Sequence, residues 1–311
     1  MSVIDLPELY RQTAFEDFNE TPELRATQLS ALRESISLLP QLEDQLKDTS
    51  DLNLIRFLRS KKFDHQRASE ACTQCQKFNN KYGDILANVT REGEKIMFWC
   101  TYNENGLLTS NYHIYEEVLI FRDFIQVIRE SGPRGRVIVI MRPGKGIKLF
   151  TSELKRNNPR AMLRLNFWIF ETLSFDPQVQ VNGLIVINSF KGLSIYDQMT
   201  LSNMAPLGDQ LATFQHFQIL GMRFKAAFIF EQPPFMTWLW FFIRPFMSEK
   251  ITGRFFLCGQ DYSMLSKAFT DTSILPADLL SSDGTNSSDP SSSSSNWMEE
   301  QFPVPLIGRR M

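Results

Sequence analysis

Three predominantly apolar runs in the middle of the chain constrain its fold most strongly. They are Arg136–Met141, Val181–Ile187 and Phe224–Phe230. Continuous apolar runs of this length are typical of strands that are buried on both faces. Stretches with helical character, at about 160–174 and 197–215, separate them. Alternating strands and helices predict right-handed crossovers, and therefore an α/β fold with a mostly parallel sheet.

The residues ahead of the sheet predict a small all-α lobe. A series of apolar residues at helical spacing begins at Leu24, and Pro40 ends it. Ser50 and Asp64 are suitable N-caps for two further helices. We therefore divide the chain into an N-terminal extension (1–21), a helical lobe (22–90) and a sheet domain (91–280). Residues 91–135 are ambiguous, with one helix expected near 115–129.

Charge is distributed unevenly along the chain. The formal net charge is −2, but residues 1–50 carry −6, residues 271–311 carry −4 and residues 51–270 carry +8. A basic middle suits an anionic surface. No nucleic-acid recognition motif accompanies it, so we expect no nucleic-acid partner. Residues 281–311 begin with a Ser-rich segment that cannot bury enough apolar surface to fold, and we predict a disordered tail.

Several functional classes find no support in the sequence. The acidic N-terminus lacks a secretory apolar region, and no apolar run approaches the roughly 20 residues of a membrane span. Cys72 and Cys75 form a CxxC, but it lies in a helical stretch without a second pair, so we expect no metal site. Residues 134–136 and 142–146 lack the spacing of a phosphate-binding loop, and the segment around Ser194 lacks the second Gly of a nucleophile elbow. We expect a cytoplasmic protein that is not an enzyme and has no cofactor.

The segment from residue 231 to residue 247 is the most informative part of the chain. Pro234 suits a helix start, and Pro245 ends or kinks the helix. Between them lie about three turns that are apolar on every side. A surface helix has only one apolar stripe, so this helix must meet apolar material on both faces. That material could be the protein core, a protein partner or a bilayer. Trp238 and Trp240 favour an interface between apolar and aqueous surroundings.

Several ordered motifs make the chain resemble the CRAL-TRIO lipid-transfer family over roughly residues 25–280. The matching segments are Leu54–Asp64 (LIRFLRSKKFD), Val181–Ile187 with Gly192, Ile229–Pro233 (IFEQP), Arg244–Ile251 (RPFMSEKI) and Ile274–Pro276 (ILP). Two positions depart from the family pattern: Ser189 replaces the Asp of the turn after the strand, and Lys191 replaces an acidic residue. We expect that loop to be altered.

The resemblance implies an apolar pocket closed by a mobile gate helix, here residues 234–243. It implies that the chain, as a monomer, binds a single hydrophobic lipid (a retinoid, a tocopherol or similar). It also implies transfer at phosphoinositide-containing membranes, with which the protein would associate peripherally. The alternative is a regulatory or docking module of the same fold that senses membranes or phosphoinositides without shuttling cargo.

The resemblance and the pattern together give three sets of candidate residues. The pocket lining is expected to include Phe167, Phe170, Ile187, Phe228, Phe230, Phe235, Leu239 and Phe242. The outer, membrane-facing side of the gate is expected to include Met236, Trp238, Trp240, Phe241 and Ile243. By position, the resemblance implies that a phosphoinositide head group is bound by Lys61, Arg223, Lys225, Lys250 and Arg254.

Overall fold

The computed structural model describes residues 4–38, 49–83, 101–102, 108–109, 124–145, 161–204, 207–247, 249–269 and 271–280. The first part of the chain is helical. Its helices are α1 (Glu8–Phe18), α2 (Pro22–Ser37), α3 (Asp51–Ser60) and α4 (His65–Lys81). The predicted caps are confirmed, because Ser50 accepts a hydrogen bond from the Asn53 amide and Asp64 accepts one from the Arg67 amide.

Helix α1 packs into the same core as the helices that follow it. Its Ala14 and Phe18 are buried together with Leu32 of α2, Leu58 of α3 and Cys72 of α4. The ion pair between Arg59 and Glu20 is buried on both sides and joins this core to the segment between α1 and α2. Residues 4–18 therefore belong structurally to the helical lobe, while the domain boundaries drawn from the sequence stay a prediction.

A five-stranded sheet follows, and its strands lie in sequence order. They are β3 (Ile125–Arg129), β4 (Val137–Met141), β5 (Leu184–Ser189), β6 (Phe224–Phe230) and β7 (Phe255–Gly259). Strands β4 to β7 are parallel and only β3 runs antiparallel, so the predicted mostly parallel sheet is confirmed. A short antiparallel pair, β1 (Thr101–Tyr102) and β2 (Leu108–Thr109), precedes it.

Helices connect the parallel strands. The connections contain α5 (Ala161–Ser174), α6 (Pro177–Val181), α7 (Ile195–Met204), α8 (Leu207–Ile219), α9 (Pro234–Ile243), a 3₁₀ turn (Arg244–Phe246) and α10 (Glu249–Thr252). After β7 come α11 (Ser263–Ala268) and a 3₁₀ turn (Ala277–Leu279). Parallel strands need such crossovers, since a hairpin can join only antiparallel neighbours.

Three local predictions from the sequence need correction. Residues 125–129 form β3 rather than the end of a helix, because they pair in register with β4. The second buried strand begins at Leu184, since residues 177–181 form the short helix α6 with Asp176 as its cap. The helical stretch at 197–215 is two helices, α7 and α8. Pro40, residues 115–123 of the expected helix and the tail from 281 lie outside the described residues.

Candidate functional site

A cavity with a volume of about 200 Å³ lies on one face of the five-stranded sheet. Met141, Val186 and Ile229, from three adjacent strands, line it from the sheet side, and α5 and α8 line it from the helix side. The first turn of α9 closes it with Phe235 and Met236. Aromatic rings dominate the rest of the lining: Phe124, Phe170, Phe190, Phe214, Phe217, Phe224 and Phe255.

Two of the predicted pocket residues, Phe170 and Phe235, line this cavity. Ile187, Phe228 and Phe230 do not. They are fully buried on the opposite face of the sheet, where they pack with Leu265 and Phe269 from the C-terminal region. The expectation that these three strand residues line the pocket is therefore wrong for this cavity.

A β-bulge at Lys225 explains which side of β6 faces the cavity. Leu184 is opposite Phe224, but the next residue, Ile185, is opposite Ala226, so Lys225 is the extra residue. An inserted residue reverses the alternation of side chains beyond it. Phe224 therefore faces the cavity, whereas Phe228 and Phe230, which share its parity, face the other way.

The three remaining predicted lining residues lie elsewhere. Phe167 is buried between the helical lobe and the sheet domain, with its ring 5.2 Å from that of Phe78 and 4.4 Å from that of His216. Leu239 is buried, but it is not part of the cavity wall. Phe242 is 64% exposed and lies on the outer side of α9. The sequence pattern marks each of these positions as apolar, but it does not say which element packs against the side chain.

The cavity wall also contains polar residues that were not predicted from the sequence. These are Asn166, Asn188, Asp209, Gln210 and Thr213. The helical spacing of 209, 210 and 213 on one side of α8 could have pointed to them, because Phe214 and Phe217 lie on that same side. Without the position of the sheet, no sequence signal separates a cavity face from a solvent face.

Helix α9 presents a different side to the cavity from the one it presents to solvent. Met236, expected on the outer side, lines the cavity. Ile243, also expected outside, is only 2% exposed. Trp238 and Phe241 are exposed, at 67% and 61%. Trp240 is half-buried, with its ring 5.3 Å from that of Phe255. The outer surface is therefore Trp238, Phe241 and Phe242.

The start of α9 is anchored to the carboxyl end of the sheet. Glu231 has a positive φ of 48°, which a non-glycine residue adopts rarely. Its amide donates to the Gly259 carbonyl, and its carboxylate accepts a hydrogen bond of 2.8 Å from the Tyr262 hydroxyl. Gln232 accepts a hydrogen bond from the Gly259 amide. These bonds fix the point from which α9 extends over the cavity.

A second exposed apolar patch lies on α7. Ile195 is 77% exposed, Tyr196 is 84% exposed and Met199 is 63% exposed. Leu193, in the loop that leads into α7, packs against the same small cluster of Phe190 and Ile229 as the first turn of α9 does. Exposed apolar side chains in groups are typical of interaction surfaces. We name Trp238, Phe241 and Phe242 with these three residues of α7 the outer apolar surface.

The five basic residues that the resemblance implied come together around the amino edge of the sheet. Arg223 and Lys225 lie at the start of β6, and Arg254 directly precedes β7. Burial lowers the pKa of Lys61, and the charges of Arg67 and Lys250 lower it further. Burial also lowers the pKa of Lys250, as do Arg254 and Arg223 among others. We call these five residues the basic cluster.

Lys225 is the most perturbed member of the basic cluster. Burial, followed by the charges of Arg223 and Arg136, lowers its pKa to about 7. Its stem lies over Gly183, whose φ of +97° and lack of a side chain make the close approach possible. Arg136, which directly precedes β4, is a neighbour of the cluster that sequence reasoning missed.

Helix α1 supplies an acidic partner to the basic cluster. The Asp17 carboxylate accepts a 3.0 Å hydrogen bond from Arg223, and the Arg223 guanidinium lies 5.3 Å from the centre of the Phe18 ring. Burial raises the pKa of Asp17, but Arg223 and Arg134 outweigh burial and hold that pKa below its ordinary value. Arg254 donates to the Phe224 carbonyl. Part of the cluster is therefore already engaged within the chain.

The CxxC thiols are buried in the helical lobe. Burial raises the pKa of both Cys72 and Cys75 to about 12, which disfavours the thiolate that metals and disulfide exchange require. Within the described ranges, no group of three or more His, Cys, Asp or Glu side chains is placed to hold a metal ion. A search of the same ranges for a membrane-spanning helix finds none of sufficient length and apolarity.

Known proteins resemble the chain in sequence. It is 27% identical over 261 residues to the alpha-tocopherol transfer protein-like proteins of Homo sapiens and Mus musculus, which covers 81% of this chain and 64% of theirs. It is 23% identical over 251 residues to clavesin-1 of Mus musculus, covering 80% of this chain and 62% of that protein. The chain therefore spans somewhat less than two thirds of the length of these relatives.

The solved structure of Sfh5 covers 84% of each chain, with a TM-score of 0.43 and 15% identity. The profile of the CRAL/TRIO domain matches residues 121–279, which include every strand of the five-stranded sheet and helix α9. On that match, the chain belongs to the CRAL/TRIO family of lipid-binding and lipid-transfer proteins.

Proposed function

We propose that the chain binds a single hydrophobic lipid in the cavity and transfers it at phosphoinositide-containing membranes. The observation that carries the proposal is the double role of α9. Its first turn lines the cavity with Phe235 and Met236, while its outer side exposes Trp238, Phe241 and Phe242. Such a helix can exchange contacts with cargo for contacts with a bilayer, which would lower the barrier to lipid exit.

Loading requires the cavity to enlarge. Its volume of about 200 Å³ is below the roughly 300–1,000 Å³ of most small-molecule pockets. Phe235 and Met236 occupy its mouth, so movement of the first turn of α9 would add the most space. Each CH₂ of a cargo that leaves water for this aromatic lining contributes about 0.8 kcal/mol. A retinoid, a tocopherol or a lipid of similar size is consistent with this scheme.

Membrane docking would use the outer apolar surface and the basic cluster together. The segment that contains α9 begins at the carboxyl end of β6 and reaches Lys250. Lys250 lies near Arg254 and Arg223, which are at the amino edge of the sheet. Each basic residue near an anionic leaflet contributes about 1 kcal/mol, screened by salt. Phosphoinositides are anionic lipids of the cytoplasmic leaflet, so we propose a cytoplasmic monomer that associates peripherally with membranes.

The proposed role needs no reaction on the cargo. The residues described as lining the cavity include one carboxylate, Asp209, and no Ser, Cys, His or Lys beside it. The alternative, a sensor of the same fold that does not shuttle cargo, differs in one measurable respect. A carrier should be isolated with one lipid per chain.

Native mass spectrometry of the gently purified chain tests cargo binding. We expect one lipid per monomer and a strong loss of occupancy in Ala227→Leu, which adds volume inside the cavity. Phe242→Ala is a control, because Phe242 lies on the outer side of the gate. An empty wild-type chain that also takes up no lipid from vesicles would contradict the proposal.

Transfer between vesicles tests the membrane step. We expect transfer to be faster with acceptor vesicles that contain phosphoinositide than with neutral ones. Charge reversal at Lys225 and Arg254 should remove that difference without lowering lipid occupancy. If the doubly reversed chain still responded to phosphoinositide, the docking scheme would be wrong. If the wild-type chain bound the vesicles but moved no lipid, the sensor would be the better description.

A further inference from the structure

We infer that Tyr262 is a positioning residue for lipid exchange, because its hydroxyl holds Glu231, the residue about which α9 turns, and so keeps α9 closed over the cavity. The inference rests on the proposed lipid-transfer function and adds what sets the rate of exchange. Glu231 directly follows β6, and only Gln232 and Pro233 separate it from α9. The first turn of α9 can therefore leave the cavity only if the torsion angles of residues 231–233 change.

The backbone between Glu231 and α9 is stiff. A proline ring fixes φ, and a residue that precedes a proline is confined mainly to extended backbone. Gln232 and Pro233 each precede a proline, and Pro233 is extended, with a φ of −65° and a ψ of 154°. Glu231 is therefore the residue of this segment whose torsion angles can change most. We call it the hinge of α9.

The hinge is held in a conformation that it would not favour alone. The φ of Glu231 is 48°, in the left-handed region that residues with a Cβ atom disfavour. Such a conformation persists only where its surroundings hold it. The Glu231 amide donates to the Gly259 carbonyl, and its carboxylate accepts a hydrogen bond of 2.8 Å from the Tyr262 hydroxyl. Of these two bonds, only the one from Tyr262 can be removed by changing a side chain.

Tyr262 is itself fixed at the carboxyl edge of the sheet. Its ring stacks on that of Phe230, with the centres 4.6 Å apart and an angle of 6° between the planes. The Ser189 side chain, at the end of β5, hydrogen-bonds with the Tyr262 hydroxyl. The Lys191 ammonium group lies 5.7 Å from the centre of the ring, within the range of a cation–π contact. These contacts direct the hydroxyl towards Glu231.

The two positions that depart from the family pattern, Ser189 and Lys191, both contact this tyrosine. An acidic residue at position 189 would compete with Glu231 for the Tyr262 proton. Ser189 instead can donate to the Tyr262 oxygen and leave the proton to Glu231. Burial and the hydrogen bond to Glu231 raise the pKa of Tyr262, so its hydroxyl keeps the proton at neutral pH. The altered loop therefore supports the bond to the hinge.

Loss of this bond should change the rates of exchange and leave the affinity unchanged. Neither Tyr262 nor Glu231 lines the cavity, so the bond is the same whether the cavity is empty or filled. A substitution that destabilises the closed empty state and the closed filled state equally accelerates loading and release by the same factor. It cannot shift occupancy, because it does not distinguish the two states. A substitution in the cavity wall, in contrast, changes the two rates unequally.

Exchange of lipid with vesicles tests the inference. The full chain is loaded from vesicles of a total cell-lipid extract and mixed with an excess of neutral vesicles of deuterated phosphatidylcholine, and native mass spectrometry follows release. The chain stripped of lipid and mixed with the cell-lipid vesicles gives the loading rate. We expect Tyr262→Phe, which removes only the hydroxyl, to accelerate both steps about tenfold at unchanged final occupancy, the effect of one hydrogen bond to a charged group.

Two further variants connect the acceleration to the hinge. Glu231→Gln keeps an acceptor oxygen but removes its charge, so it should accelerate both steps less than Tyr262→Phe does. In that background, Tyr262→Phe should have a smaller effect than in the wild type, because the two residues share one bond. Tyr10→Phe, which removes a hydroxyl from α1 outside the cavity wall, is the matched control and should change neither rate. Thermal unfolding checks that each variant is folded, and Glu231→Gln decides the question if Tyr262→Phe does not fold.

The outcomes separate the two proposals. Wild-type rates in Tyr262→Phe would overturn the role of Tyr262 while leaving lipid binding intact. Faster release without faster loading would also overturn it, because weaker cargo binding would then explain the result. A wild-type chain that takes up no lipid, from these vesicles or during purification, would overturn the proposed function itself.

Discussion

The two faces of the central sheet are built from the same kinds of residue but are packed differently. On one face, Phe228 and Phe230 are fully buried against Phe256, Phe269 and Tyr262, with Phe230 and Tyr262 stacked at 4.6 Å. On the other face, Phe170, Phe217 and Phe224 surround a cavity. We call these the solid face and the hollow face. A Phe-rich composition therefore says little about function until the side that each ring faces is known.

The largest expected effect is on the solid face. Phe228→Ala should lower the free energy of unfolding by about 3–5 kcal/mol, because it removes apolar contacts and leaves a new cavity. Phe170→Ala on the hollow face should cost about 1.5–3 kcal/mol, mainly the transfer term, because the space that it opens merges with an existing cavity. Chemical denaturation of both lipid-free variants measures the difference. Equal costs would mean that the hollow face is as tightly packed as the solid one.

Lipid should stabilise the chain through the hollow face alone. At a free lipid concentration of 100 times the dissociation constant, binding should raise the free energy of unfolding by about 2.7 kcal/mol. Ala227→Leu, which fills the cavity, should lose most of that increment. Ile187→Val on the solid face should slightly lower the free energy of unfolding without lipid, and it should keep the increase that lipid adds. Unfolding with and without lipid gives both values, and an increment that Ala227→Leu leaves intact would place the lipid elsewhere.

The fold was predictable from sequence because its signals are local. Continuous apolar runs mark strands β4 to β6, and Ser50 and Asp64 mark helix starts, all of which the structure confirms. The bounds of helix α9 were equally predictable, since prolines flank a segment that is apolar on every side. These features depend on a few neighbouring residues and need no knowledge of the rest of the chain.

The cavity lining was not predictable, because it depends on non-local register. Lys225 shifts the alternation of β6 by one residue, which turns Phe228 and Phe230 towards the solid face. No feature of the sequence around Lys225 distinguishes a bulge from regular pairing. Likewise, Met236 and Phe242 are both apolar, and only the position of the helix over the sheet assigns one to the cavity and the other to solvent.

Lys225, the extra residue of the β-bulge in β6, should also make stability depend on pH. The pKa of Lys225 is lowered to about 7 in the folded chain, whereas an unfolded lysine has a pKa of about 10.4. Between these values the unfolded form of this side chain binds more protons, so the contribution of Lys225 to stability should rise as pH increases from 7 to 10. Each pKa unit corresponds to about 1.4 kcal/mol, and because the side chain is partly exposed we expect about 1–2 kcal/mol in total.

Lys225→Met checks this dependence. The variant should be more stable than the wild type near pH 7, and the part of the rise between pH 7 and pH 10 that Lys225 contributes should be absent. Lys267→Met, on α11 at the solid face, is the control and should leave the rise unchanged. An identical pH dependence in the wild type and in Lys225→Met would show that Lys225 is not strongly desolvated.

The smallest expected effect concerns Asp17, which engages Arg223 just before the bulge. If the basic cluster binds anionic lipid, the Asp17 carboxylate competes with it for the Arg223 guanidinium. Asp17→Asn should tighten binding to phosphoinositide vesicles about three- to fivefold, because one charge near an anionic surface contributes about 1 kcal/mol or less. The gain should shrink at high salt. Cargo occupancy should not change, since Asp17 lies on α1 and outside the cavity wall.

The matched control is Glu8→Gln, which makes the same change of charge on the same helix, where Glu8 pairs with Arg11. A sedimentation assay with vesicles at two salt concentrations compares both variants. If both tighten binding equally, net charge explains the effect and the Asp17–Arg223 contact has no special part in it. If only Asp17→Asn tightens binding, α1 limits the access of anionic lipid to the basic cluster at the amino edge of the sheet.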